Sequence, residues 1–218
     1  MLALLLLACS TIHGVKPVGE GNTEVNLSLG GPIAEVFGAP IPIPLSTVGV
    51  THGITDRLDV HGAFHPSAVL LEGVVEAEVG ASYQFLPNQG AVPRLMGDLM
   101  LLGAGGDVAE GEPKGGFRMY LQPSFTASWD WGKNKRQTTY TALTCFFQPF
   151  PTVHAVGAWA VGQRWGMGPR FHLDTELKWI APYASTLNLV PHYYGIGNQG
   201  ALSFQLGFGY IFGKGMGS

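Results

Sequence analysis

His65 and Ser67 are the two residues whose types and spacing could support nucleophilic catalysis. In an extended strand, side chains two positions apart lie on the same face, so the imidazole could act as a base for the hydroxyl. Glu76 or Glu78, on the next predicted strand, could orient the imidazole. Pro66 favours a second interpretation, in which a proline-containing loop begins after His65.

The histidine spacing argues against a metal site. His61 and His65 share a strand face but are separated by roughly 13 Å, at about 3.3 Å per residue. A zinc ion requires three or four ligands that converge at about 2 Å. The chain also contains no Gly-x-Ser-x-Gly element and no phosphate-binding loop. We therefore expect neither a bound metal nor a cofactor.

Cys9 follows an apolar run at the start of the chain. The four residues from Leu6 to Cys9 run apolar, variable, small, cysteine, and this order resembles a bacterial lipobox. The resemblance implies cleavage before Cys9 and acylation of its thiol, which anchors a chain at about 0.8 kcal/mol per buried CH₂. It predicts a signal peptide over residues 1–8 and a lipidated tether over residues 9–23. An apolar leader cut elsewhere, with an incidental cysteine, is the alternative.

The elements that would position these groups follow from a period-two pattern, which is typical of β-strands. From Arg170 to Trp179, an ionisable residue stands at every even position, and apolar residues with one threonine occupy the odd positions. A helix would mix these two sets on every side. The pattern recurs in ten segments, and several reach the roughly 9–11 residues that a tilted strand needs to cross a membrane. The segments are Val25–Gly30, Val48–Gly53, Leu58–His65, Val75–Phe85, Leu95–Leu102, Phe117–Trp129, Thr138–Phe147, Val153–Trp165, Phe171–Ile180 and Leu202–Phe212.

This pattern predicts an all-β fold, an antiparallel up-and-down transmembrane β-barrel of about ten strands over residues 24–212, with a tail over 213–218. Short turns alternate with long connections, which is the asymmetry of bacterial outer-membrane barrels, with the short side periplasmic. An even strand number then places both termini in the periplasm. Aromatic residues near the strand ends are expected to form two girdles. The turns are Ile54–Arg57, Trp131–Arg136 and Gly166–Pro169, and the long connections are Gly31–Pro44, Gly103–Gly116 and Ala181–Gly200.

In such a barrel the ionic face of each strand lines the lumen. Both signs of charge are present, and we expect ion pairs, because isolated buried charges are costly. Barrels of about eight strands are filled by side chains and those of about sixteen leave a channel, so ten strands favour a filled lumen, with a narrow pore as the alternative. The predicted lumen-lining residues are Asp59, His61, Glu76, Glu78, Arg94, Asp98, Arg118, Arg164, Arg170, His172, Asp174, Glu176 and Lys178.

The last predicted strand resembles the β-signal of bacterial outer-membrane barrels. Gln205, Gly207, Tyr210 and Phe212 supply its polar residue, its glycine and its two spaced hydrophobic residues. The family pattern normally ends the chain, whereas six residues follow it here. The resemblance covers nearly the whole chain as architecture and implies insertion by the barrel-assembly machinery, without specifying an activity.

The segment from Phe64 to Ala68 faintly resembles the His-x-Ser motif of outer-membrane lipid A deacylases. It departs from that motif at Pro66, and Ala68 replaces the usual asparagine after the serine. The resemblance implies a lipid hydrolase with His65 as base and Ser67 as nucleophile. The departures favour no catalytic residue, and this remains our principal expectation.

The composition limits the classes of partner. Asp, Glu, Lys and Arg make up 12% of the 218 residues, against about 25% in soluble domains. The net charge of −3 argues against nucleic acid. The expected partners are outer-membrane lipid and lipopolysaccharide, and the pattern makes no prediction of the oligomeric state.

Three functions follow from these observations. The first is an integral outer-membrane barrel without catalytic activity, acting as a structural or adhesive protein or as a narrow pore. The second is a soluble periplasmic lipocalin-like lipoprotein that binds an apolar ligand, in which the apolar faces would point inward. The third is the lipid hydrolase. The low charge, the β-signal and the loop asymmetry favour the first.

Overall fold

The computed structural model describes residues 14–36, 38–106, 116–150, 153–185 and 193–213. Ten long antiparallel strands follow one another around a barrel, and one short strand extends from the first of them. The strands are β1 (Thr23–Val36), β2 (Ala39–Pro42), β3 (Leu45–Gly53), β4 (Leu58–Phe64), β5 (Val74–Leu86), β6 (Arg94–Gly106), β7 (Gly116–Trp131), β8 (Gln137–Phe150), β9 (His154–Gly166), β10 (Phe171–Ser185) and β11 (Gln199–Phe212). All except β2 belong to the barrel wall. The prediction of a ten-stranded up-and-down barrel is confirmed.

The barrel closes through pairing of its first and last strands. Leu27 of β1 lies opposite Phe208 of β11 on one side and opposite Val48 of β3 on the other. Closure leaves no free edge in the wall, and this is what a sheet in hydrocarbon requires, because unpaired backbone groups there are costly.

The burial pattern of the wall is inverted relative to that of a soluble barrel. Leu177 and Phe208 point outward and are 41% and 40% exposed, while the neighbouring Asp174 and Glu176 are 4% and 1% exposed. A lipocalin-like barrel would place the apolar side chains inside. The fold is therefore that of a transmembrane barrel.

Aromatic side chains are exposed at both ends of the wall. We call the end that contains Thr23 and Phe212 the lower end and the opposite end the upper end. Exposed aromatics at the lower end are Tyr83, Phe85, Trp131, Trp165, Tyr210 and Phe212, and those at the upper end are Phe64, Phe117 and Tyr183. Exposed aromatics also lie between the two ends, at Phe125, Trp159, Phe204 and Phe208, so the aromatic residues are not confined to the two girdles that the sequence predicts.

The upper connections contain more secondary structure than expected. The predicted loop Gly31–Pro44 is largely a hairpin, because β1 continues to Val36 and pairs with β2 through Ile33–Pro42 and Val36–Ala39. The prolines of β2 favour the prediction of a loop, although proline is tolerated in an edge strand.

A short helix, α1 (Pro66–Glu72), follows β4 at the upper end. Pro66 occupies its first turn, where a missing N–H is tolerated. Gly73 ends the helix in the left-handed conformation, with φ of 69°. A 3₁₀ turn, Lys133–Lys135, lies in a lower connection. Among the described residues, no helix is long and apolar enough to cross a membrane.

Candidate functional site

The lumen is the part of the molecule where ionisable side chains converge. Of the thirteen residues predicted to line it, eleven are buried, and Arg118 on β7 is half-buried. The buried residues are Asp59, His61, Glu76, Glu78, Arg94, Asp98, Arg164, His172, Asp174, Glu176 and Lys178. Each lies at an inward position of its strand, because side chains alternate between the two faces.

Arg170 differs from the prediction. It is exposed in the lower turn before β10, which begins at Phe171, and it donates an N–H to the Gly213 carbonyl oxygen at 3.2 Å. The alternation was extended one residue beyond the end of the strand, where the backbone no longer directs the side chain inward.

An ion-pair network joins β9, β10 and β1. Arg164 donates two hydrogen bonds of 2.9 Å to the Asp174 carboxylate, the bidentate geometry typical of strong arginine–carboxylate pairs. His172 lies 3.3 Å from Asp174 and 3.2 Å from Glu24. To reach β1, the imidazole crosses β11 over Gly209, where an added Cβ would lie 2.1 Å from its Nε2. The glycine therefore makes room for the network.

A second contact group lies beside this network. Tyr140 on β8 donates its O–H to Glu176 Oε2 at 2.9 Å, and Lys178 Nζ lies 3.3 Å from Glu176 Oε1. The Tyr140 ring lies against Gly162 of β9, where an added Cβ would approach the ring to 2.2 Å. Glycine at 162 thus allows the tyrosine to pass over β9 and reach Glu176 on β10.

Replacing Gly162 by alanine is expected to lower the free energy of unfolding by about 1–3 kcal/mol, because the new methyl group displaces the Tyr140 ring. Urea unfolding in phospholipid vesicles, followed by tryptophan fluorescence, measures the loss. Gly157→Ala on the same strand is the matched control, since its Cβ would meet only the Tyr183 ring, at 3.9 Å. Equal losses in the two variants would contradict the packing argument.

Further pairs of ionisable side chains join β4, β6 and β7. His61 Nε2 lies 2.7 Å from Asp98 Oδ1, which joins β4 to β6. Arg94 of β6 forms an ion pair with Asp130 of β7, and its Nη1 also donates to Ser128 Oγ at 3.2 Å. The mixed signs that the sequence places on one face thus meet as pairs, which offsets the cost of removing them from water.

The two residues of the proposed catalytic pair have different hydrogen-bond partners. Ser67 Oγ accepts the Ser46 backbone N–H at 2.7 Å, which ties helix α1 to β3. His65 instead contacts Thr47 Oγ1 at 3.2 Å and Glu78 Oε2 at 3.3 Å. Glu78 does approach the imidazole as expected, but Thr47, His65 and Glu78 are all buried. These contacts fit a structural role at the upper end of the lumen.

Residues 14–22 enter the lower end of the lumen, and we call them the N-terminal plug. Val15 is 1% exposed, and its carbonyl accepts a hydrogen bond of 3.0 Å from Ser128 Oγ. The Val18 N–H donates to Asp59 Oδ2 at 3.1 Å. Lys16 Nζ lies 3.7 Å from Asp130 Oδ2. The sequence predicts this stretch only as part of a tether, whereas the structure places it inside the wall.

The composition of the plug explains its path. Val15 packs against Tyr140, Ala142 and Ala160, which form a small apolar patch on β8 and β9. Gly14 and Gly19 have φ of 70° and 88°, a left-handed conformation that glycine adopts without steric cost. Burial lowers the pKa of the Lys16 ammonium, and the Asp130 carboxylate opposes that shift.

An apolar cluster fills the upper end of the lumen. Its side chains come from β5 to β11, and all except Ala181 occupy the same inward positions that carry charges lower in the barrel. The cluster consists of Val74, Leu102, Ala104, Tyr120, Phe146, Val156, Ala158, Ile180, Ala181 and Ala201. The period-two pattern of the sequence does indicate this cluster, because Leu102 and Ala104 share a strand face with Asp98 on β6. We did not predict it, because we treated the inward face as ionic throughout.

A small cavity remains between the plug and the wall. Its volume is about 30 Å³, and Lys16, Glu24, Asp59, Arg164 and Asp174 are among the residues that line it. This is room for about one water molecule. The charged middle of the lumen thus lies between the plug below and the apolar cluster above.

Two further chemical expectations concern metals and cysteines. Within the described ranges, no group of three or more His, Cys, Asp or Glu side chains is placed to hold a metal ion. Cys145 is a free, half-buried thiol on β8. Cys9 lies outside the described residues, so its acylation stays a prediction.

Comparisons with known proteins concern the fold. No protein-family model matches the chain, and no curated protein matches it. Among solved structures, a KdgM porin is 10% identical over 88% of this chain and 99% of its own, with a TM-score of 0.43. A NanC porin is 10% identical over 86% of this chain and 98% of its own, with a TM-score of 0.46. The translocator domain of the autotransporter NalP from Neisseria meningitidis is 12% identical over 97% of this chain and 93% of its own, with a TM-score of 0.44.

Proposed function

We propose that this protein is an integral outer-membrane β-barrel without catalytic activity, closed to solutes, which serves as a structural or adhesive component of the cell envelope. The observation that carries the proposal is the filling of the lumen at both ends. The plug occupies the lower end with Val15 and Val18 buried, and the apolar cluster occupies the upper end.

Three features support placement in the outer membrane. The wall is closed and its outward face is apolar, as hydrocarbon requires. The last strand resembles a β-signal, which addresses chains to the barrel-assembly machinery. Both described termini lie at the lower end, beside the short turn at 54–57. Short turns are periplasmic in such barrels, so the upper end would face the cell exterior.

The upper end offers a surface for adhesive contact. The β1–β2 hairpin extends beyond the wall there, and the connection from β10 to β11 packs on it through the Tyr194 N–H, which donates to the Ile33 carbonyl at 3.0 Å. Ile41 and Ile196 are exposed on these two segments.

Single-channel recording in planar lipid bilayers tests whether the barrel is closed. We expect no conductance steps from the intact protein. Deleting residues 14–21 is expected to leave the barrel silent, because the apolar cluster still fills the upper end. The same deletion combined with Tyr120→Ala and Phe146→Ala is expected to conduct, since both obstructions are then removed.

The narrow pore is the competing function, and the recording separates the two. Steady conductance from the intact protein would overturn the closed-barrel proposal. Conductance after deletion of the plug alone would show that the upper cluster does not block the lumen. Heat-modifiable gel mobility confirms in each case that the variant has folded.

A further inference from the structure

A groove interrupts the outward face of the wall across β7 to β10. Its volume is about 470 Å³, within the range of about 300–1,000 Å³ that is usual for small-ligand pockets. The residues that line it are Pro123, Ser124, Phe125, Leu143, Thr144, Cys145, Gly157, Ala158, Trp159, Pro182 and Tyr183. None of these residues is charged at neutral pH.

Small side chains and a break in strand pairing create the floor of the groove. Cys145 of β8 lies opposite Gly157 of β9, so the wall is thin there. In the β7–β8 ladder, Leu121 pairs with Phe147 and Ser124 pairs with Thr144, and the two described residues between them form no pair with β8. One of those residues is Pro123, which has no N–H to donate to a neighbouring strand.

The walls of the groove are held in place by their polar tips. The Trp159 indole N–H donates to Thr141 Oγ1 at 2.7 Å. The Tyr183 hydroxyl accepts the Gly157 N–H and donates to the Ala155 carbonyl, both at 3.3 Å. These bonds satisfy the polar atoms on the barrel itself and leave the ring faces toward the groove. A binding site whose walls are already ordered loses little conformational entropy when it is occupied.

We propose that this groove holds one acyl chain of a membrane lipid. The groove is continuous with the exposed apolar face around Leu143 and Val161, which meets hydrocarbon if the protein spans a membrane. An acyl chain fits an uncharged trough with fixed aromatic sides, and the lining offers no cation for a phosphate group. The inference rests on the proposed membrane location.

Photo-crosslinking tests this site in the full-length protein. The protein is reconstituted in phosphatidylethanolamine–phosphatidylglycerol vesicles that contain a trace of phosphatidylcholine with a diazirine in one acyl chain. After illumination, labelled peptides are mapped by mass spectrometry. We expect labelling to concentrate on the peptides of β7 to β10 that line the groove.

Gly157→Leu fills the groove and is the decisive variant. An added Cβ at position 157 meets only the Tyr183 ring, at 3.9 Å, so the backbone tolerates it. Groove labelling is expected to fall by about tenfold, the effect of losing contact with roughly two chain methylenes. Val161→Leu, an outward change on the same strand beyond the groove, is expected to leave labelling unchanged. If Gly157→Leu fails to fold, Cys145→Leu fills the groove from β8.

The outcomes separate this inference from the proposed function. Even labelling around the wall, or groove labelling that survives the filling substitution, would overturn the acyl-chain site and leave the membrane location intact. Absence of any label would contradict the membrane location itself.

Discussion

Replacing Arg164 by methionine is expected to lower the free energy of unfolding by about 3–5 kcal/mol, because it removes the bidentate arginine partner of the buried Asp174 carboxylate. Arg164 donates two hydrogen bonds of 2.9 Å to Asp174, and both side chains are buried. Because the site is buried, water cannot easily reach the Asp174 carboxylate and solvate it in place of the guanidinium. Urea unfolding of the barrel in phospholipid vesicles measures the loss.

Arg170→Met is the matched control for this experiment. The Arg170 side chain is exposed and its described contact is with the Gly213 backbone carbonyl, so its replacement is expected to change stability by no more than about 0.5 kcal/mol. The double variant Arg164→Met, Asp174→Leu is expected to recover part of the loss, because no unpaired charge remains. Similar small losses from both arginine variants would contradict a stabilising ion pair in the lumen.

Replacing Leu177 by arginine is expected to destabilise the inserted barrel by about 2–4 kcal/mol, the cost of a cation at the middle of a bilayer on the outer face of such a wall. Leu177 lies near the middle of β10 and points outward, between the buried Glu176 and Lys178. The measurement is the urea midpoint in vesicles, corrected for any change in the slope.

Phe212→Arg is the control for depth. Phe212 is exposed at the lower end of β11, where the same substitution is expected to cost only about 0–1 kcal/mol. A Leu177→Arg variant as stable as the original protein would show that the outward face does not meet hydrocarbon. That result would overturn the transmembrane location together with the acyl-chain groove.

The strand pattern could be predicted from the sequence because one face of each strand points into the lumen and the other points outward from the wall. On β10 the inward residues His172, Asp174, Glu176 and Lys178 carry ionisable groups and the outward residues do not. Period-two alternation of ionisable and apolar residues therefore predicts which side chains share a face. The same reasoning identified most of the lumen residues, although it could not pair them. Pairing depends on register, and register is set jointly by all the strands.

The parts that were missed depend on tertiary packing. Residues 14–22 carry no alternation, and only the apolar patch at Tyr140 explains why Val15 enters the lumen. Helix α1 has seven residues, too few for a helical period to be recognised. The upper cluster could not be predicted for another reason. Leu102 and Phe146 are residue types that are common in any strand, and they form a cluster only because seven strands bring their side chains together.

The plug is joined directly to β1, and β1 is the strand whose pairing with β11 completes the wall. Contacts between the two ends of a chain are the slowest to form, since they carry the largest loop-closure entropy. Until that seam closes, Glu24 on β1 cannot meet His172 on β10. Closure of the seam and formation of the Glu24–His172 contact therefore belong to the same late step of folding.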